Sequence, residues 1–293
     1  MISFISLLDG GEEMRFKHNI TSTYAVAGVI EALLLVALFS IILSTIQLVY
    51  IPDIMEQKEV EHMDAVENQF SHLKSVIDLQ TSVKENVPIS SPITLGSREL
   101  PYFVTARSFG QLDIIDWDDS KIDTDFISNI PLTSITFEAI NSYFIDQDYI
   151  IEGGGLIIKQ YDGETIRIEP SISFDNETTQ IKIHWTLPEF FSVAGKNSTS
   201  GFKSCYIRTN YSSDTTYQGS TTYIRIYTDY LTAWNNTLNQ LLEEPVDNGF
   251  INIEKKPIAS PTYVEISPAS KSVYLDLTLV RIGVQIGPGI VVE

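Results

Sequence analysis

The chain has 293 residues, with 38 Asp and Glu against 19 Lys and Arg, a formal net charge of −19 and one cysteine. That balance disfavours a nucleic-acid partner, whose phosphates demand a basic surface, and disfavours docking on anionic lipid. The single Cys205 excludes an intramolecular disulfide, a cysteine-based zinc site and a redox CxxC pair; in the run CYIRT it reads as a small core residue.

Residues 1–24 form a polar leader with Arg15, Lys17 and His18 ahead of an apolar run. From Ala32 to Tyr50 no side chain is charged, and as a helix this stretch spans about 28 Å, close to the hydrocarbon core of a bilayer. A transmembrane helix is therefore expected over 25–51. Asp53, Glu56 and Glu59 follow it, so the charge bias predicts a cytoplasmic N-terminus and an exterior C-terminal domain. A cleaved secretory signal is the competing reading, but the run exceeds the usual h-region and no A-x-A site follows.

Pro52 marks a kink or a fresh helix start. Over 52–87 the spacing predicts an amphipathic helix, with Met63, Val66, Phe70, Leu73 and Ile77 in one stripe that lies on the chain's own β domain. Glu56, Glu59, Glu61, Asp64 and Glu67 are assigned to its solvated face. Pro88 and Pro92, in NVPISSP, read as a short linker.

Beyond it β-branched and aromatic residues dominate. LPYFVTARS and GQLDIIDW read as the first strands, followed by an acidic loop of Asp116, Asp118, Asp119, Asp123 and Asp125 that lacks EF-hand spacing. LIIKQY and ETIRIE flank Asp162-Gly163, which reads as a type I′ hairpin turn, and QIKIHWTL is expected as the third strand of that meander. Gly153-Gly154-Gly155 is followed by a strand and carries no lysine, so it reads as a bulge or a close backbone approach. SCYIRTNY and TTYIRIYTDY are expected as two strands around a polar loop. Residues 229–243 switch to helical spacing, with Asp229 as N-cap and Leu231, Trp234, Leu238 and Leu241 or Leu242 on one face. FINIE, TYVEIS and KSVYLDLTLVRIGVQI complete the strands. The expected fold is α+β and mostly β: the two helices, then an antiparallel β-sandwich over 88–293 with one inserted helix, able to fold from about Ser91 onward without the membrane segment.

Chemistry-bearing patterns are sparse. His184, in IKIHW, is the only histidine beyond residue 72, and neither a GxSxG elbow, an HExxH pair nor a nucleotide-binding glycine loop occurs. Glu243 and Glu244 read as a charge run at a helix end. No catalytic residue, metal site or cofactor is assigned, and the expectation is that the protein is not an enzyme. Sequons at Asn176, Asn197, Asn210 and Asn235 are candidate N-glycosylation acceptors, in keeping with an exterior domain.

The stretch AVAGVIEALLLVAL, Ala25 to Leu38, resembles the opening of archaeal type IV pilins, and an apolar helix running into an amphipathic one and then a β-rich head is the pilin plan. DYIIEGGGLIIKQ is similar to a Tyr-x-x-Glu-Gly-Gly stretch of archaeal membrane proteins with a pilin-like N-terminus. Tyr24 stands where pilin precursors carry a basic residue, and Glu31 where they carry glycine. In type IV pilins generally a glutamate near the mature N-terminus answers the terminal amine of a neighbouring subunit; if Ala27 became the first residue, Glu31 would be the fifth. The other reading is that Glu31 reaches back to the headgroup level.

The resemblance implies a single-pass envelope protein whose partners are membrane lipid and, through the N-terminal helix, copies of itself or other pilin-like subunits. Glu31 is the assembly candidate. An anchored extracytoplasmic binding module is the alternative, and an anchored hydrolase a distant third.

Overall fold

The computed structural model describes residues 13–97, 108–116, 119–193, 196–258 and 261–287, with side chains from Val26 onward. Apart from Ser108, the strand expected over LPYFVTARS lies outside the described residues, as do Asp118 and the side chains of Arg15, Lys17 and His18.

The chain divides into two compact units, residues 1–54 and 55–293. In the first, α1 (Glu13–Thr45) begins inside the segment read as a leader and passes into a π-helical turn, Ile46–Tyr50. The N–H of Ile51 donates to the carbonyl of Ile46, the wide spacing of that turn, and α2 (Ile51–Val83) begins there with Pro52 in its first turn, where proline is tolerated. The helix stops at Val83, short of residue 87, because Lys84 adopts a positive φ of 56°.

Among the described residues the second unit holds most of α2 and sixteen strands. In chain order these are β1 (Ile89–Thr94), β2 (Phe109–Ile115), β3 (Lys121–Thr124), β4 (Ile130–Pro131), β5 (Ser134–Ile140), β6 (Gln147–Glu152), β7 (Gly155–Gln160), β8 (Gly163–Ile168), β9 (Ile172–Asn176), β10 (Gln180–Ser192), β11 (Ser198–Gly201), β12 (Ser204–Thr221) and β13 (Ile224–Tyr227). Helices α3 (Leu231–Leu241) and α4 (Glu243–Asp247) precede β14 (Ile251–Lys256), β15 (Tyr263–Pro268) and β16 (Ser272–Ile286). They form three sheets, ordered β1-β12-β16-β10-β9, β11-β2-β5-β6-β7-β8 and β14-β15-β13-β3-β4.

Two large cores and a small third one, of Ile150, Ile157 and Ala233, fill the unit among the described residues. In one large core, the α2 stripe Met63, Val66, Phe70, Leu73 and Ile77 packs against β2, β5, β6, the first half of β12 and the second half of β16, including Phe137, Tyr149, Ile207 and Val284. The other gathers β3, β13, β15 and α3 around Trp185, Trp234 and the first half of β16. Strands β10 and β16 serve both. Along β16 the buried side chains are Val273, Leu275, Leu277 and Leu279, then Val280, Ile282, Val284 and Ile286, so the buried face changes at the Leu279–Val280 step. β10 changes face between Leu187 and Pro188, which pair with Leu279 and Val280. Because successive strand residues point to opposite faces, the two cores lie on opposite sides of this sheet. In β12 a bulge between Tyr211 and Ser213 makes the same exchange: Tyr211 joins the first core and Tyr217 the second.

Several expectations change. β10 and β16 pair in parallel over 13 residues, so the sheets are not wholly antiparallel; the long intervening chain supplies the crossover that parallel pairing needs. Residues of the presumed linker form β1, an edge strand, where Pro92 is tolerated. Asp123 belongs to β3, not to an open acidic loop. β8 and β9 lie in different sheets, so QIKIHWTL does not extend the hairpin. The polar SSDTT segment is no loop but the middle of the 18-residue β12, held on β16 by a ladder that needs no apolar side chain.

The turn residues are also reassigned. Gln160 pairs with Gly163, leaving Tyr161-Asp162 as the loop, and Asp162-Gly163 has none of the positive φ values of a I′ turn. That geometry belongs to Gly153 and Gly154, with φ 60° and 84°, which join β6 to β7. A Cβ on Gly153 would stand 2.6 Å from Trp234, so the close approach expected there is real. Asp229 does not cap α3; the N-cap is Tyr230, and Glu164 on β8 accepts instead from the N–H groups of Thr232 (2.7 Å) and Ala233 (3.3 Å).

Candidate membrane and assembly surface

From Val26 to Tyr50 every side chain is exposed except the half-exposed Ile46, and the residues are apolar on all sides of the helix. A soluble helix hides its apolar stripe; one that is apolar all round must be covered by lipid or by other helices. This helix is long and apolar enough to cross a bilayer. Its few polar side chains fit that solvent: Ser40 and Thr45 each donate to the carbonyl four residues back, Val36 (2.8 Å) and Ile41 (2.9 Å), so neither hydroxyl needs water. Glu31 is exposed and makes no ion pair among the described residues.

In the second unit α2 carries buried polar groups, one of which, Glu59, the spacing pattern had placed in solvent. Glu59 is 0% exposed. Its carboxylate accepts the successive N–H groups of Ser142, Tyr143 and Phe144, at 3.0, 2.7 and 2.7 Å, and so fixes the β5–β6 loop on the helix. His62, one turn on, donates from Nε2 to the carbonyl of Thr94 (2.9 Å), which leaves Nδ1 to accept from the Ser108 hydroxyl (3.4 Å). Burial pushes its pKa down, against the raising influence of that hydrogen bond and of Glu59. Gln69 holds both the N–H and the hydroxyl of Thr94, and Gln80 donates to the carbonyl of Thr209 (2.9 Å). A polar seam thus fastens α2 to β1 and β12.

His184 is half-exposed on β10. Its Nε2 lies 3.0 Å from Asp175 and its Nδ1 3.2 Å from Asp276, so both ring nitrogens face carboxylates and, among the described residues, no serine is held against them. The second buried carboxylate, Glu152, accepts from Thr228 (2.7 Å) and Trp234 Nε1 (2.8 Å) beside the Gly153-Gly154 turn, an arrangement that locks α3 against β6. Cys205 is partly buried against the first core, and burial pushes its thiol up to about 11. No group of three potential metal ligands occurs among the described residues.

Two surfaces bear on the binding alternative. A concavity of about 680 Å³ is lined by Asp116, Lys121, Asn129, Leu132 and Asp229, with no aromatic ring among the described residues. On the outer face of the third sheet the rings of Tyr223 and Tyr263 flank the Arg225 guanidinium at 4.2 and 5.2 Å, and Lys121 lies 5.3 Å from the Tyr227 ring. These rings already stack on the chain's own cations.

The four sequons differ. Asn176 bonds Glu244 and Lys271, Asn210 lies inside β12 and donates to Asn86, and Asn235 is half-buried on α3. Asn197 is exposed just before β11, and its backbone carbonyl accepts from the N–H of Ile114 (2.7 Å).

No protein-family model, curated protein or solved structure matches the chain.

Proposed function

We propose that the chain is a single-pass, pilin-like envelope protein, anchored by the helix over 25–51 with its N-terminus cytoplasmic and its β-rich head outside, and that it acts by assembly or contact and not by catalysis. The observation that carries this reading is the all-round apolar surface from Val26 to Tyr50, exposed at every side chain but Ile46, which requires lipid or neighbouring helices to cover it. The pilin-like opening Ala25–Leu38 supports the choice of assembly partner, and the head is read as a sandwich in which the β10/β16 sheet carries a core on each face.

The N-terminal residue of the protein purified from membranes tests it, together with Glu31→Gln. A terminus at or near Ala27, with assembly lost in Glu31→Gln and membrane insertion intact, is the result expected of a processed subunit. An intact Met1 and unchanged behaviour of Glu31→Gln would remove the subunit reading and leave a permanent anchor. Protease added to intact cells should digest the head; full protection would overturn its exterior placement.

A further inference from the structure

The exchange of faces along β10 and β16 leaves part of one side of their sheet uncovered. Beyond Val280 the side chains of Ile282, Val284 and Ile286 point into the first core, as do Phe190 and Ile207 on the neighbouring strands. Phe191, Arg208, Gly283 and Gln285 alternate with them and face the other way, on the side that carries the second core only over the first half of β16. Register sets them side by side: Arg208 pairs with Gln285, while Asn210 and Phe191 flank Gly283. A Cβ on Gly283 would stand 2.9 Å from Val193 and 3.2 Å from the Phe191 ring, so those two side chains lean across a glycine floor. Here opens a hollow of about 330 Å³. Small-molecule sites usually span about 300–1,000 Å³.

Phe191, Val193 and Pro88 supply apolar wall, and no Asp or Glu stands among the described residues that line the hollow. Asn210 Nδ2 donates to Asn86 Oδ1 (2.7 Å), so what Asn86 has left to offer is its N–H donors. Arg208, half-buried, is the cation of the site. The other arginines with described side chains each face a carboxylate: Arg167 that of Glu67 at 3.0 Å, Arg225 that of Glu265 at 2.6 Å and Arg281 that of Glu189 at 3.4 Å. Arg208 has neither a carboxylate nor another hydrogen-bond acceptor among the described residues. In a chain with two acids for every base, a guanidinium kept clear of them in a hollow is a place for an anion from outside. The apolar walls call for a body attached to that anion, which an inorganic ion lacks.

We infer that this hollow binds a carboxylate borne on a small apolar body. The Arg208 guanidinium takes the carboxylate through its paired N–H groups, Gln285 and Asn86 add amide donors, and Phe191, Val193 and Pro88 cover the body. The hollow lies wholly within the second unit, so the assignment holds whatever surrounds the helix over 25–51. It gives the head a ligand of its own, beside any part it plays in assembly.

The full chain in a non-ionic detergent provides the test, with 4-fluorophenylacetate as probe and its fluorine resonance followed in titrations. Expected is saturable broadening with the parent chain, and affinity about tenfold weaker or more both for 4-fluorophenylacetamide, the same body without the charge, and for the acid with Arg208→Gln. Ser90→Glu is the second variant. Ser90 is exposed and pairs with Arg208 across the β1–β12 ladder, so this change offers Arg208 a carboxylate while removing no hydrogen bond among the described residues, and should weaken the probe to a similar degree. If Arg208→Gln melts below the parent, Ser90→Glu decides alone. A parent chain without saturable binding, equal affinity for acid and amide, or unchanged affinity in either variant would overturn the inference. Displacement of the probe by inorganic phosphate as readily as by phenylacetate would also overturn it, since the site would then take anions of any kind. N-acetylphenylalanine carries the same group as the end of a peptide chain. Tighter binding of it than of phenylacetate would support the site and give it to a chain terminus; the reverse order would support it and give it to a free acid.

Discussion

Glu59 is fully buried because three consecutive backbone N–H groups replace the water it gives up. The position was legible after the fact: it lies four residues beyond Met55 and four before Met63, on the stripe itself, but the periodicity of apolar residues says nothing about a charge whose partners come from a loop more than 80 residues away. Glu59→Ala leaves those donors without a charged acceptor and should lower stability by about 1–3 kcal/mol, read from urea unfolding of the detergent-solubilised chain; an unchanged midpoint would mean that water serves the loop equally well. His62 makes a second prediction. Its pKa is pushed below its ordinary value near 6.5, so the folded state favours the neutral ring. Stability from this group is complete above pH 6.5 and is lost as pH falls below it, while the unfolded chain takes up the proton first. The melting temperature of the parent should therefore drop from pH 7 to pH 5 more than that of His62→Gln, whose amide can still donate to Thr94. Equal slopes would show that His62 does not carry the dependence.

At the scale of elements, apolar periodicity was the reliable signal. The stripe on α2 and the face of α3 bearing Trp234 and Leu238 are both buried as their spacing requires. Phe70→Ala should cost about 3–5 kcal/mol, measured by the same unfolding experiment; a cost under 1 kcal/mol, well below the usual range for such a truncation, would place α2 outside the core. What sequence could not supply was the choice among competing turns and the fate of polar strands. Asp-Gly is a strong hairpin signal in isolation, yet the positive φ values fall at Gly153 and Gly154, and at Gly153 Trp234 leaves no room for a Cβ. Gly153→Ala combines that clash with a left-handed backbone, and should lower the melting temperature more than Gly163→Ala, whose added Cβ meets nothing within 4 Å. The middle of β12 was hidden for the opposite reason: Ser212 to Thr216 are polar, and only the partner ladder on β16 makes them a strand.

For the molecule as a whole, the change of buried face along β10 and β16 ties the two cores together, since neither strand can leave one without disturbing the other. The run LTLVRI in β16 announces the change by two adjacent apolar residues, Leu279 and Val280, but its meaning depends on β10 changing at the paired positions. One cooperative melt is therefore expected for residues 55–293, with Trp234→Ala and Phe70→Ala lowering the same transition. A fragment beginning at Ser91 lacks the α2 stripe and should melt broadly, contrary to the expectation that this region closes a core by itself; a sharp melt of that fragment would show the helix to be dispensable.

The parallel β10/β16 ladder also sets a clock. Gln180 meets Ser272 and Ser192 meets Val284, so both halves of the head wait for a segment synthesised some 90 residues later. During translation α2 and the strands before β16 have no finished wall to close against. The second unit thus stays an open chain through most of its synthesis, becoming compact only when Ile286 has left the ribosome.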